Sequence, residues 1–125
     1  MDIAIGNNVK DERVQDLLCC ALEGGSNYWY EIKRYVYPRG FTQQTLPINH
    51  RHLELPFKGG AVIIVDAEQP KDKEYRLDWA AMKRGLQLLA EKYPKHWADF
   101  LAENEDAITG DVFLQLALFG DVIFG

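Results

Sequence analysis

Cysteine is scarce here and badly placed for a cross-link. The chain has two, Cys19 and Cys20, side by side. Neighbours on a helix diverge, whereas a disulfide brings separated segments face to face. Both are therefore read as free thiols in a reducing compartment, filling core or near-surface space. A nucleophilic thiol needs a nearby base, and the local sequence supplies none. Long apolar runs are also missing. No window approaches the ~18 apolar residues of a membrane span. The opening Met-Asp-Ile-Ala-Ile-Gly lacks the basic start and apolar run of a signal peptide. The expectation is a cytoplasmic protein that does not engage a membrane.

Positive charge disappears after Lys95. Residues 1–95 hold all 14 Lys and Arg against 13 Asp and Glu. Residues 96–125 hold six acids and no Lys or Arg: Asp99, Glu103, Glu105, Asp106, Asp111 and Asp121. An anionic C-terminal part repels phosphates, so nucleic acid is not expected to bind there. It favours docking onto a basic partner surface instead.

What remains is ordinary for one domain. The 125 residues are 47% hydrophobic and 26% charged, enough to bury a core without metals or disulfides. Aromatic residues cluster twice, at 28–37 and again at Trp79, Tyr93, Trp97 and Phe100.

Residues 1–10 read as a loose lead-in. Asp11 is placed to cap a helix whose stripe is Val14, Leu17, Leu18, Ala21 and Leu22, with Gly24 and Gly25 as its stop. Asn27–Tyr37 reads as a strand. Simple alternation puts Tyr28, Tyr30, Ile32 and Val36 on one face, and Trp29, Glu31, Lys33, Tyr35 and Tyr37 on the other. Residues 41–50 read as a loop. Leu53, Leu55 and Phe57 alternate as a short edge strand beside Pro56, and Ala61–Val65 is a central strand covered on both faces. Residues 28–67 thus form a three-stranded antiparallel meander. Asp78 caps a helix carrying Trp79, Met82, Leu86, Leu89, Ala90 and Tyr93, whose Gly85 is read as packing on the sheet. Pro94 opens a second helix, and Thr109 caps a third, apolar nearly all round, that ends at Gly120. The predicted class is α+β, in the order α-βββ-ααα, with the meander packed against helices.

Candidate chemistry is thin. His50 and His52 would share one face if the chain ran extended there, and are metal-ligand types, with Glu54, Asp66 or Glu68 as the candidate third ligands. Exposed loop histidines with no standard ligand spacing are the simpler reading, and His96 reads as a helix-surface residue. Asp66 and Glu68, near Asp78 in sequence, are a carboxylate pair of the kind that serves acid-base work or holds Mg²⁺. A strand exit meeting solvent accounts for them more simply. Glu23-Gly-Gly-Ser-Asn27 runs from helix to strand, the reverse of a phosphate cradle. Tyr28, Trp29, Tyr30, Lys33, Arg34 and Tyr35 remain as a candidate binding set, of residue types typical of contact hot spots. No cofactor and no catalytic residue are expected.

EGGSNYWYEI from Glu23, paired with TGDVFLQLALFGDVIFG at the end, resembles a group of small hypothetical proteins of bacteriophages and prophages. In these, a helix followed by GGSxYWY and a terminal TGDVxxQxALFGxxxxG bracket a variable middle. The resemblance covers the two ends, about a third of the chain. It implies an accessory protein of a phage or mobile element in the cytoplasm of a bacterial host, and carries no catalytic residues over. Small phage proteins of this kind include inhibitors of host defence systems. The leading expectation is a non-enzymatic binding protein that modulates a host factor, with a host protein or small ligand as partner. A small metal- or nucleotide-dependent enzyme using His50, His52, Asp66 and Glu68, and a homodimer or other homo-oligomer joined through the terminal segment, are the alternatives.

Overall fold

The structure, a computed structural model, describes residues 1–3 and 8–125. The expected lead-in lies partly outside that set, but its described ends are held. Val9 N donates to Met1 O at 2.9 Å, Asp2 and Asn8 form an antiparallel bridge, and Met1, Ile3 and Val9 join the core.

Helix α1 spans Asp11–Cys20, with Asp11 as its first residue and Lys10 at the cap position. Gly24 and Gly25 do not simply stop it. The chain widens into a π-helical turn over Ala21–Gly25, where Ser26 N bonds Ala21 O at 2.9 Å. Strand β1 (Tyr30–Val36) pairs antiparallel with β2 (Ala61–Asp66), and β2 with β3 (Tyr75–Leu77), in the order β1-β2-β3. Helices α3 (Trp79–Lys92), α4 (Pro94–Leu101) and α5 (Ala107–Phe119) follow. The class is α+β, with the sheet packed against helices and the main elements in the order α-βββ-ααα. β2 is central and buried from Ala61 to Val65, as its unbroken apolar run requires.

One strand is misassigned in the sequence reading. Leu53–Phe57 is helical: α2 covers Arg51–Glu54 and runs into a 3₁₀ turn at Leu55–Phe57. Two periods fit this short segment, because Leu53 and Phe57 lie four apart and share a helical face as readily as a strand face. Glu54 decides it by reaching back, its carboxylate accepting the His50 amide at 2.8 Å, and Pro56 sits in the first turn of the 3₁₀ segment, where its missing N–H does no harm. The third strand is Tyr75–Leu77, too short for its alternation to register.

Helix α5 is the central post of the helical layer. Phe113, Leu114, Gln115, Leu116 and Ala117 are all buried. Its cap is Asp106, whose Oδ1 accepts Thr109 N at 2.9 Å, and not Thr109 as the sequence suggested. The extra turn moves Asp111 out of the capping region and frees its carboxylate for side-chain donors. Asp78 does cap α3, accepting Ala81 N at 2.9 Å, and Gly120 closes α5 with φ +75°. Gly85 packs on α5 and not on the sheet. A Cβ there would lie 2.8 Å from the Ala117 Cβ. Close approach recurs where α5 crosses the π turn: a Cβ on Gly25 would overlap the Ala107 carbonyl, and one on Gly110 would lie 2.6 Å from Ala21 N.

Candidate functional site

The two ends that carry the resemblance meet at Asp111. Ser26 Oγ donates to Oδ1 at 2.8 Å, Trp29 Nε1 to the same oxygen at 2.7 Å, and Tyr28 OH to Oδ2 at 2.7 Å. Ser26 and Trp29 are buried, so the carboxylate satisfies donors that would otherwise be stranded. Loss of hydration, and after it the bond to Asp111, pushes the Tyr28 hydroxyl up to about 12. One helical turn on, Gln115 Oε1 accepts Ile123 N and Phe124 N, both at 2.8 Å, and Nε2 donates to Phe124 O at 3.3 Å. The buried amide folds the last residues back so that Phe124 stacks on Trp29 at 4.9 Å and 9°. Phe119 completes the cluster against Trp29 and Tyr75, at 5.3 and 4.6 Å.

The candidate binding set is therefore divided. A β-bulge between Ile32 and Arg34 breaks the simple alternation. It turns Tyr35 to the core side with Tyr30 and Ile32, and leaves Lys33 and Arg34 exposed. Trp29 lies before the strand and is buried. Tyr30 OH bonds Leu22 O, and Arg51 lies over the Tyr35 ring at 4.3 Å. Lys33 Nζ and Arg34 Nη1 hold Glu74 at 2.8 and 2.9 Å, and these bonds lower its pKa.

The histidines do not share a strand face. His50 precedes α2 and His52 lies within it, their rings edge-on at 6.3 Å. His52 Nε2 meets Glu23 Oε2 at 2.9 Å. That bond, and one from the Cys19 thiol, hold the Glu23 carboxyl below its usual range. Burial first, and then Glu23, raise Cys19; burial also raises Cys20, so both favour the thiol form. Asp66 Oδ1 accepts Glu68 N at 2.9 Å, closing the turn after β2. Among the described residues no three His, Cys, Asp or Glu side chains gather as a metal requires. His96 is half-buried, its Nδ1 2.9 Å from the Thr109 hydroxyl.

Much of the C-terminal acidity is engaged internally. Glu105 bonds Arg13, Asp106 caps α5, Asp111 takes three donors, and Asp121 accepts Val122 N. Arg13 also donates to Phe100 O at 3.0 Å and lies over that ring.

Cationic side chains gather elsewhere, three of the four already holding an acceptor of the chain itself. On the outer face of the sheet, Arg34, Ile63 and Arg76 are cross-strand partners in one row. Ile63 is buried between the two arginines, as aliphatic stems covering an apolar neighbour produce. Arg76 Nε bonds Asp78 at 3.0 Å and borders a depression of about 290 Å³ that reaches Gly60, Trp79 and Ala80. A second depression, of about 300 Å³, continues from Ala80 along α3 past Lys83, Arg84, Gln87 and Leu88. Trp79, expected in the buried stripe, is 38% exposed and stands edge-on to Phe57. It is the first residue of α3, where one helical turn of neighbours is missing. Sequence reading missed this surface because its parts come from β1, β3 and α3. The available signal was Lys83, Arg84 and Gln87 opposite the apolar stripe.

No family model, curated protein or solved structure matches the chain. Among the described residues no helix is long and apolar enough to cross a membrane.

Proposed function

We propose that the protein is a binding protein of phage or prophage origin that modulates a bacterial host protein, as inhibitors of host defence do. The observation that carries this reading is the continuous surface from Arg34 through Arg76 and Trp79 to Lys83. It joins an exposed indole and two arginines, the residue types that dominate contact energies, with the exposed Lys83. Lys83 has no ion-pair partner among the described residues. Tyr28 and Trp29 support it indirectly. Their polar atoms close the chain's own clasp, Trp29 buried and Tyr28 with its ring still exposed, while Lys33 and Arg34, paired with Glu74, lie on the outward face of β1.

Affinity capture from a bacterial lysate tests the reading, with mass spectrometry of retained proteins and small molecules. The expected result is one host protein held by the wild-type chain and lost from the Arg34→Glu, Arg76→Glu double variant. Turnover of a nucleotide or peptide, lost on changing His52 or Asp66, would overturn it in favour of the enzyme reading.

A further inference from the structure

Resting on that reading, we infer that the α3 half of this surface receives an acidic amphipathic helix of the partner protein. Ala80, Lys83, Arg84, Gln87 and Leu88 fall at i, i+3, i+4, i+7 and i+8, one straight stripe along α3. The stripe is hollow, because the Lys83 and Arg84 side chains flank a depression that also meets small Ala80 and half-buried Leu88. A small residue beside a groove lets a second helix approach closely, and apolar side chains at the same spacing on the partner match Ala80 and Leu88. Trp79 closes the N-terminal end with an exposed indole face.

Charge selects the occupant. Cations along the α3 half are Arg76, Lys83 and Arg84; of the acids beside them, Asp78 already holds Ala81 N and Arg76 Nε, and Glu91, at the far end, accepts Gln87 Nε2 at 3.3 Å. Arg84 commits one nitrogen to Ala117 O at 2.7 Å, and its other N–H groups remain available. Carboxylates flanking an apolar stripe complement this arrangement. Nucleic acid fits less well, since three cations around two small depressions make no stripe that tracks a phosphate backbone, and the chain carries a net charge of −5.

The test uses the full chain, isotope-labelled for NMR, and a synthetic helical peptide with leucines at i, i+3, i+4 and i+7 flanked by glutamates. The same peptide with lysines for glutamates and a single-stranded oligonucleotide are titrated beside it. The expected result is saturable shifts of the Trp79 indole, Ala80, Lys83 and Leu88 signals with the glutamate peptide alone. Lys83→Glu should weaken binding about tenfold, the scale of one lost interfacial charge pair. Arg84 is left intact because it holds α5. Equal binding of the lysine peptide, preference for the oligonucleotide, shifts confined to another surface, or no binding would each overturn the inference. Loss of the captured host protein from the Arg34, Arg76 double variant but not from Lys83→Glu would remove this helix site while leaving the proposed function standing.

Discussion

Trp29 and Asp111, 82 positions apart, are joined by a 2.7 Å hydrogen bond from the indole Nε1 to Oδ1. That bond fixes the start of β1 to the second turn of α5. Ser26 and Tyr28 share the same carboxylate, so one acid gathers three donors from a four-residue segment. Removing it as Asp111→Ala strands two buried donors. The loss expected is about 2–4 kcal/mol, since a buried donor without a partner costs ~1–3 kcal/mol and deletions within one network are not additive. Trp29→Phe leaves Ser26 on the carboxylate but loses a hydrogen bond to a charged group, ~1.5–3 kcal/mol, and part of the packing against Phe124. Urea unfolding measures both; a loss below about 1 kcal/mol in Asp111→Ala would mean that the ring stack, not the carboxylate, holds the joint.

Gln115 makes a prediction about the tail. Its side-chain oxygen accepts two consecutive amides, Ile123 and Phe124. Gln115→Leu fills the space but cannot accept, leaving those amides to water. Hydrogen exchange at the two amides should accelerate about tenfold or more, corresponding to the loss of ~1.5 kcal/mol of local protection. Unchanged exchange there would show that aromatic packing alone secures the segment.

Adjacent glycines should respond in opposite ways. A Cβ on Gly24 would rest 3.8 Å from the Ala107 Cβ, an ordinary contact, while one on Gly25 would overlap the Ala107 carbonyl. Gly24→Ala should be neutral or stabilise by up to about 1 kcal/mol through the unfolded chain. Gly25→Ala must push α5 off the π turn and should cost about 3 kcal/mol or more, beyond typical overpacking, because backbone stands in the way. Thermal unfolding of the two variants settles the comparison, and similar midpoints would refute the close crossing.

Alkaline pH gives a further test. The folded state raises the Tyr28 hydroxyl to about 12, against an ordinary value of ~10. An acid with a raised pKa holds its proton more tightly when folded, so its contribution is complete below pH ~10 and disappears as pH climbs toward 12. Wild-type stability should fall more steeply over that window than that of Tyr28→Phe. The raised Cys19 and Cys20 thiols predict slow alkylation at pH 8 compared with free cysteine. Parallel pH profiles for wild type and Tyr28→Phe would show that the bond to Asp111 does not persist in solution.

Legibility followed the length of each pattern. α3 and β2 were readable because a long amphipathic stripe and an unbroken apolar run each admit one period. α2 was not, since five residues from Leu53 to Phe57 satisfy two. The bulge after Ile32 was invisible for another reason: it depends on how β1 pairs with β2, and its effect is to reverse the face of every residue after it. Asp111 appeared as one acid among six because its donors lie more than eighty positions away. Acid counting also overstated the anionic surface, since burial against Arg13 and capping of α5 absorb charge without changing composition.

On the proposed function, Asp111 holds the fold together and the row of Arg34 and Arg76 makes the contact. Calorimetric titration of the captured host protein with two variants tests it most directly. Arg34→Glu with Arg76→Glu should lower affinity by about tenfold or more, as loss of interfacial charge does, with only a small fall in melting temperature from the lost exposed pairs to Glu74 and Asp78. Asp111→Asn, studied below its unfolding transition, should melt earlier yet bind with wild-type affinity. Unchanged affinity in the arginine variant, together with lost affinity in Asp111→Asn, would contradict the account and move the contact to the Trp29 clasp.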